Sequence, residues 1–271
     1  MLGITIRGAI GLGDKIQFAS FPENYYKNTG QKVIDVDRVW IFDHNPFVVR
    51  DQEPSETVDI SKINWPLKRA YKYWPIRARF TPKHYKDKPT YFSIADRTSS
   101  IFNHVTYLRH PRLYQFEDLP IIQKRIVIHT TGKQLIVKKR GEDGFKLLSP
   151  EIIHHIKETY KDYEIIQVGS KDDDDAKVID RRGLKNIWDV VKIISQASMF
   201  IGVDSGPSWI AACYPRIFRK KIIVQHPLEF LRNDFVPMHK LNPHLHWHDM
   251  SCLYFNRFKE DAGVTYSYLK L

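Results

Sequence analysis

The chain has 271 residues, 42% of them hydrophobic and 27% charged, with 13 glycines and 15 prolines; this is the composition of a folded protein with room for roughly two domains, and it excludes disorder, collagen-like repeats and a chain built of membrane spans. Lys and Arg number 42 against 31 Asp and Glu, a net charge of +11 with a pI near 9.4, which keeps a polyanionic partner in play: nucleic acid, a phosphorylated glycan or a membrane surface. Two cysteines, Cys213 and Cys252, are too few for a disulfide framework, no apolar run nears the roughly 18 residues of a spanning helix, and the apolar start lacks a basic leader region. A soluble cytoplasmic protein without stable membrane insertion is therefore expected.

Residues 2 to 10, LGITIRGAI, are a short apolar run giving way to glycines, the pattern of a buried strand of a parallel sheet. A helix follows, capped by Asp14 and carried through Tyr26, with Pro22 as a kink or restart and Gly30 at its C-terminal end. Lys32 to Asp37, KVIDVD, is the second strand and completes a βαβ unit. From Asp51 to about Pro120 the periodicity weakens, leaving short apolar pieces such as TYFSIA at 90–95. It returns at Arg125 with RIVIHTT, a strand, and Ser149-Pro150-Glu151 then opens a helix to about Lys161. YEIIQVGS (163–170) reads as a strand, and NIWDVVKIISQAS (186–198) as a helix with Asn186 and Asp189 at capping-box spacing. MFIGVDSG (199–206) is a strand and turn, PSWIAACY (207–214) a helix and KKIIVQH (220–226) a strand. The expected architecture is α/β, two Rossmann-like domains over 1–120 and 121–271 facing a cleft, with ligands at the carboxyl ends of the strands.

Three turns after strands carry chemistry. Gly8-Ala9-Ile10-Gly11-Leu12-Gly13-Asp14 permits close backbone approach and ends in a carboxylate, although its G-x-x-G-x-G spacing is not the dinucleotide fingerprint and also suits a plain capped turn. Val203-Asp204-Ser205-Gly206-Pro207-Ser208 offers backbone amides and the hydroxyls of Ser205 and Ser208 to phosphate oxygens, and the Asp204 carboxylate to sugar hydroxyls; an ordinary capped turn would look the same. His129-Thr130-Thr131-Gly132-Lys133 supplies hydroxyls, a permissive glycine and a cation, or is a surface loop.

Taken in order, IGLGD, FPENYY, HTTGK, VGS and RRGLKNIWDVVKIISQASMFIGVDSGPSWIAA resemble glycosyltransferase family nine, the ADP-heptose:lipopolysaccharide heptosyltransferase group, most strongly over 163–214 and 4–26. The resemblance implies a GT-B fold, a nucleotide-sugar donor on the C-terminal domain, an acceptor on the N-terminal domain, and inverting transfer without a metal or other cofactor. It makes Asp14 the catalytic base, places Thr130, Thr131 and Lys133 near the donor diphosphate and Asp204 near donor hydroxyls, and groups Gly13, Gly169, Ser205, Gly206, Pro207 and Ser208 with the donor site. Two departures stand out: the family usually has His two residues after the proline of this turn, where this chain has Trp209, and the acceptor half is shorter than usual.

The remaining features point less sharply. Asp172 to Asp175 follow a strand and are expected to form a solvated face, not a metal site. His244, His246 and His248 alternate beside Asp249 and Cys252, a spacing open to zinc or to packing along a cleft. Between Lys62 and Lys88 nine basic residues stand against Asp87, interleaved with aromatics; Lys68, Arg69, Lys72, Trp74, Arg77 and Arg79 are the expected acceptor surface, able to neutralise phosphates and stack on rings, or else a solvated basic face. A phosphorylated glycan such as a lipopolysaccharide core is the acceptor implied by the resemblance. Hydroxymethylated DNA, as in phage-type DNA glucosyltransferases, is the alternative suggested by the basic aromatic stretch, and a non-catalytic nucleic-acid-binding module is a third.

Overall fold

The computed structural model describes residues 1–7, 11–61, 98–99, 102–108, 111–132, 146–148, 150–203, 205–214 and 220–223. They belong to two compact units, one within Met1–Gln115 and one within Phe116–Arg232. The first holds a parallel sheet of β1 (Leu2–Thr5), β2 (Val33–Asp35), β3 (Val48–Val49) and β4 (Glu56–Asp59) in the order β3-β2-β1-β4. All four residues of β1 are buried, as a strand flanked on both sides requires. This strand is shorter than the run from 2 to 10, because Ile6 and Arg7 leave the ladder and bond instead to acid side chains, one just past β2 and one at the end of β4. Ile6 N–H donates to Asp37 Oδ2 at 3.1 Å and Arg7 N–H to Asp59 Oδ1 at 3.4 Å.

Helix α1 (Leu12–Gln17) begins two residues before Asp14 and so places it in the first turn rather than at the cap, a position where an acid suits the helix dipole. A 3-10 turn (Phe18–Ser20) leads into α2 (Phe21–Thr29), where Pro22 restarts the helix at a position that needs no amide hydrogen. Gly30 ends it at φ +71°, its N–H donating to Tyr26 O at 2.7 Å. The FPENYY run on α2 has a structural task. Asn24 Nδ2 donates to Leu108 O at 2.6 Å and its Oδ1 accepts from Tyr107 and Leu108 N–H at 2.8 and 2.7 Å. Glu23 accepts from Tyr114 Oη at 2.5 Å and pairs with Lys27 at 2.7 Å. Burial opposes its charge, but Lys27, Tyr114 and Arg112 together hold its carboxyl below the usual range.

In the second unit β5 (Ile122–His129), β8 (Glu164–Gly169), β9 (Ile179–Arg182), β10 (Ala197–Gly202) and β11 (Lys220–Ile223) form a parallel sheet in the order β11-β10-β5-β8-β9. A small antiparallel pair, β6 (Thr131–Gly132) and β7 (Lys146–Leu147), extends from β5. Helices α3 (Pro150–Thr159), α4 (Ile187–Ser195) and α5 (Gly206–Ala212) complete the described elements of this unit. Ile126, Ile128, Ile156, Ile165, Ile201 and Val203 make the core of this unit. Asn186 caps α4 by accepting from Trp188 N–H at 3.0 Å. That helix stops at Ser195, earlier than expected, since Ala197 already pairs with Ile122 across a register shift and Ser198 Oγ donates to Arg125 O at 2.9 Å. The chain runs from β5 outward to β8 and β9, then returns to β10 and β11 on the other side of β5. The carboxyl ends of β5 and β10 therefore flank the topological switch point, where open parallel sheets bind ligands.

No helix among the described residues is long and apolar enough to cross a membrane.

Candidate functional site

At the switch point β5 ends in His129, only 4% exposed. Its Nδ1 lies 2.8 Å from Ser205 Oγ, at the residue that caps α5. The cap is closed by Ser208: its Oγ accepts from Ser205 N–H at 2.9 Å and donates to Ser205 O at 2.7 Å. On the other side of the ring, Nε2 lies 3.3 Å from Asp173 Oδ2, and that oxygen also accepts from Ser170 N–H at 2.7 Å. Gly169 makes room for the pair. It sits at φ +138°, and a β-carbon there would stand 2.1 Å from Asp173 Oδ2 and 2.9 Å from His129 Cδ2.

Asp173 corrects the expectation for the acidic run. Asp172, Asp174 and Asp175 are exposed, but Asp173 turns inward and is 4% exposed. The whole loop is stitched to the sheet. Thr130, fully buried, donates from Oγ1 to Asp174 O at 2.8 Å and accepts from Gln167 Nε2 at 2.9 Å. Thr131 Oγ1 accepts from Asp174 N–H at 3.1 Å, and Gln167 Oε1 from Ala176 N–H at 2.9 Å. Arg182 on β9 donates to the Asp173 carbonyl and pairs with Asp180 at 2.9 Å. That guanidinium, with help from Lys171, holds the Asp180 carboxyl far below its usual range.

The structure thus brings Gly169, Ser205, Gly206, Pro207 and Ser208 to the carboxyl ends of β8 and β10, with Thr130 and Thr131 beyond β5. The hydroxyls of Thr130 and Ser208 are used inside the protein, in the loop and in the cap. Gly13 and Asp14 lie on α1 of the first unit. The side chain of Asp14 is outside the described residues, as are Asp204, Lys133, the basic stretch with Lys68, Arg69, Lys72, Trp74, Arg77 and Arg79, and His244, His246 and His248. Sequence alone gives His129 only as the first residue of the 129–133 turn and Asp173 only as one of four aspartates, and nothing in either pattern points to their pairing. Among the described residues no group of three or more His, Cys, Asp or Glu is placed to hold a metal.

No protein-family profile matches this chain, and no curated protein does. Solved structures do match. The bacterial iron-containing dodecameric glycosyltransferase TibC of enterotoxigenic E. coli aligns with a TM-score of 0.53 at 15% identity, covering 83% of this chain; the chain spans 57% of the length of TibC. A family 9 glycosyltransferase of Veillonella parvula aligns with a TM-score of 0.53 at 12% identity, over 98% of this chain and 85% of its own. The E. coli heptosyltransferase WaaC, solved with ADP, aligns with a TM-score of 0.50 at 11% identity, over 97% of this chain and 99% of its own. The likeness is one of fold: this chain has the GT-B-like α/β fold of these family 9 glycosyltransferases.

Proposed function

We propose that the protein is a glycosyltransferase that moves a sugar from a nucleotide-diphosphate sugar to a hydroxyl of an anionic acceptor, a lipopolysaccharide core or similar glycan, with inversion and without a metal. The observation that carries this is the D-S-G-P turn with Ser205 at the switch point of the second sheet, in a chain sharing its fold with glycosyltransferases, one of them solved with ADP. The division of labour is a donor domain over 121–271 and an acceptor domain over 1–120, in a cytoplasmic protein. In the reaction the acceptor oxygen attacks the anomeric carbon from the face opposite the leaving group. The bond to the diphosphate breaks with its electron pair on the departing oxygen, and the acceptor proton passes to a base. Asp14 is that base. Thr131, Lys133 and the backbone of the donor turn offset the charge that develops on the diphosphate, the work a divalent ion does elsewhere. Asp204 takes hydrogen bonds from donor hydroxyls, and Lys68, Arg69, Lys72, Trp74, Arg77 and Arg79 receive the anionic acceptor.

A binding and hydrolysis screen of nucleotide sugars, followed by mass spectrometry of acceptors incubated with the donor that binds, tests this. Binding of at least one nucleotide sugar and a sugar-mass increment on a glycan acceptor are expected. A chain that neither binds nor hydrolyses any nucleotide sugar is not a glycosyltransferase, and an increment found on hydroxymethylated DNA instead would reassign the acceptor.

A further inference from the structure

The Ser205 hydroxyl has one hydrogen to give, and two acceptors inside the protein compete for it: His129 Nδ1 at 2.8 Å and Val203 O at 3.1 Å. The other ring nitrogen faces the Asp173 carboxylate at 3.3 Å. An ionised carboxylate only accepts and draws positive charge, so the ring hydrogen is favoured on Nε2 by charge alone. In the neutral ring Nδ1 is then a lone pair, and it takes the Ser205 hydrogen. In the doubly protonated ring Nδ1–H donates to Oγ, and the hydroxyl hydrogen turns to Val203 O. Both arrangements keep that hydrogen inside the protein. In the neutral arrangement the hydrogen is spent and only lone pairs of Oγ remain to meet a ligand.

A phosphate oxygen without a hydrogen cannot use such a lone pair, whereas a sugar or ribose hydroxyl can. Resting on the glycosyltransferase reading above, we infer that Ser205 accepts a hydrogen bond from a hydroxyl of the nucleotide sugar and does not bind its phosphates, and that the buried His129 and Asp173 are positioning residues that impose this polarity. Carboxylate, imidazole and hydroxyl in a row resemble a nucleophilic relay. Here Ser205 is the N-cap of a helix, on an extended backbone at φ −164° and ψ 178° that Ser208 Oγ ties down at both N–H and C=O, so the row holds the hydroxyl in place. The clearance kept by Gly169 over both Asp173 and His129 shows how much of the local backbone is given to the pair.

The test is calorimetric titration of the 271-residue chain. ADP, GDP, UDP, CDP and their glucose conjugates are titrated first to find the nucleotide that binds. That nucleotide, its 2′,3′-dideoxy form, its glucose conjugate and inorganic pyrophosphate are then titrated into the parent, Ser205→Ala, His129→Gln and His129→Leu, with circular dichroism confirming each fold. Ser205→Ala is expected to bind the hydroxyl-bearing ligand roughly tenfold more weakly, as for one lost hydrogen bond, and pyrophosphate within about twofold of the parent. If the partner is a ribose hydroxyl, parent and Ser205→Ala bind the dideoxy nucleotide equally; if it is a sugar hydroxyl, the loss is confined to the glucose conjugate. His129→Gln, whose carbonyl can still take the Ser205 hydrogen, keeps affinity within about threefold. His129→Leu leaves the hydrogen only Val203 O, at 3.1 Å, so the hydroxyl is held less firmly: the hydroxyl-bearing ligand is expected to bind more than about threefold more weakly, with pyrophosphate within about twofold of the parent. Should Ser205→Ala lose pyrophosphate affinity in step with the nucleotide, or leave every affinity unchanged, the inference is overturned and the glycosyltransferase reading stands. A parent that binds none of the nucleotides or conjugates removes that reading itself.

Discussion

Gly169→Ala is the most exacting perturbation of the second unit. The new methyl group would lie 2.1 Å from Asp173 Oδ2 and 2.9 Å from His129 Cδ2, on a backbone at φ +138°. Asp173 cannot simply withdraw, because the same oxygen accepts from Ser170 N–H at 2.7 Å and the residue's carbonyl is held by Arg182. The backbone strain costs about 1–3 kcal/mol, and forcing a methyl into a packed site costs about 1–3 kcal/mol more. Stiffening the unfolded chain returns under ~1 kcal/mol, so a net loss of about 2–5 kcal/mol is expected. At roughly 2–4 °C per kcal/mol for a protein of this size, Tm should fall by about 4–20 °C. Gly30→Ala is the matched control, since Gly30 has φ +71° but nothing within 4 Å of a β-carbon; it carries the backbone cost alone, about 1 kcal/mol. Thermal unfolding by circular dichroism at equal protein concentration reads both. If Gly169→Ala falls no further than Gly30→Ala, the close approach of Asp173 and His129 to this backbone is wrong.

Arg50→Ala should destabilise the first unit by about 3 kcal/mol, because it strips the guanidinium, 2.8 Å away, from the fully buried Asp35 carboxylate. Burial already raises the Asp35 pKa, so the folded state holds its proton to higher pH than the unfolded state, and stability falls as pH rises between the two values. Loss of Arg50 raises the folded value further; urea unfolding should show a deficit that is small at acid pH and grows toward neutrality, and a pH-independent deficit would contradict this. Asp14→Asn should cut sugar transfer at least a hundredfold while donor affinity stays within about twofold, as for a base that acts in the transition state; transfer within tenfold of the parent would remove Asp14 from that role. Transfer should persist in EDTA, and complete loss restored by manganese or magnesium would bring metal chemistry back.

What the sequence by itself determined is the part of the molecule governed by neighbours in the chain. Apolar runs of strand length, the proline restarting α2, Gly30 at positive φ, Pro150 opening α3 and Asn186 capping α4 are local preferences of backbone and side chain, and the structure keeps them. The boundary between α4 and β10 was misjudged because QAS suits a helix as well as a strand; parallel pairing with β5 decides it. Strand β9, IDRR, was missed for a similar reason. It is a mostly exposed polar edge strand with no apolar alternation, and only its ladder with β8 makes it a strand. Asp173 shows the limit most clearly, since in the chain it is one of four equal aspartates. Which of them goes inside depends on the positive φ of Gly169, on Arg182 nine residues downstream and on His129 at the end of another strand. Burial of a charge is settled by partners that can compensate it, and those partners are assembled only when the sheet is formed.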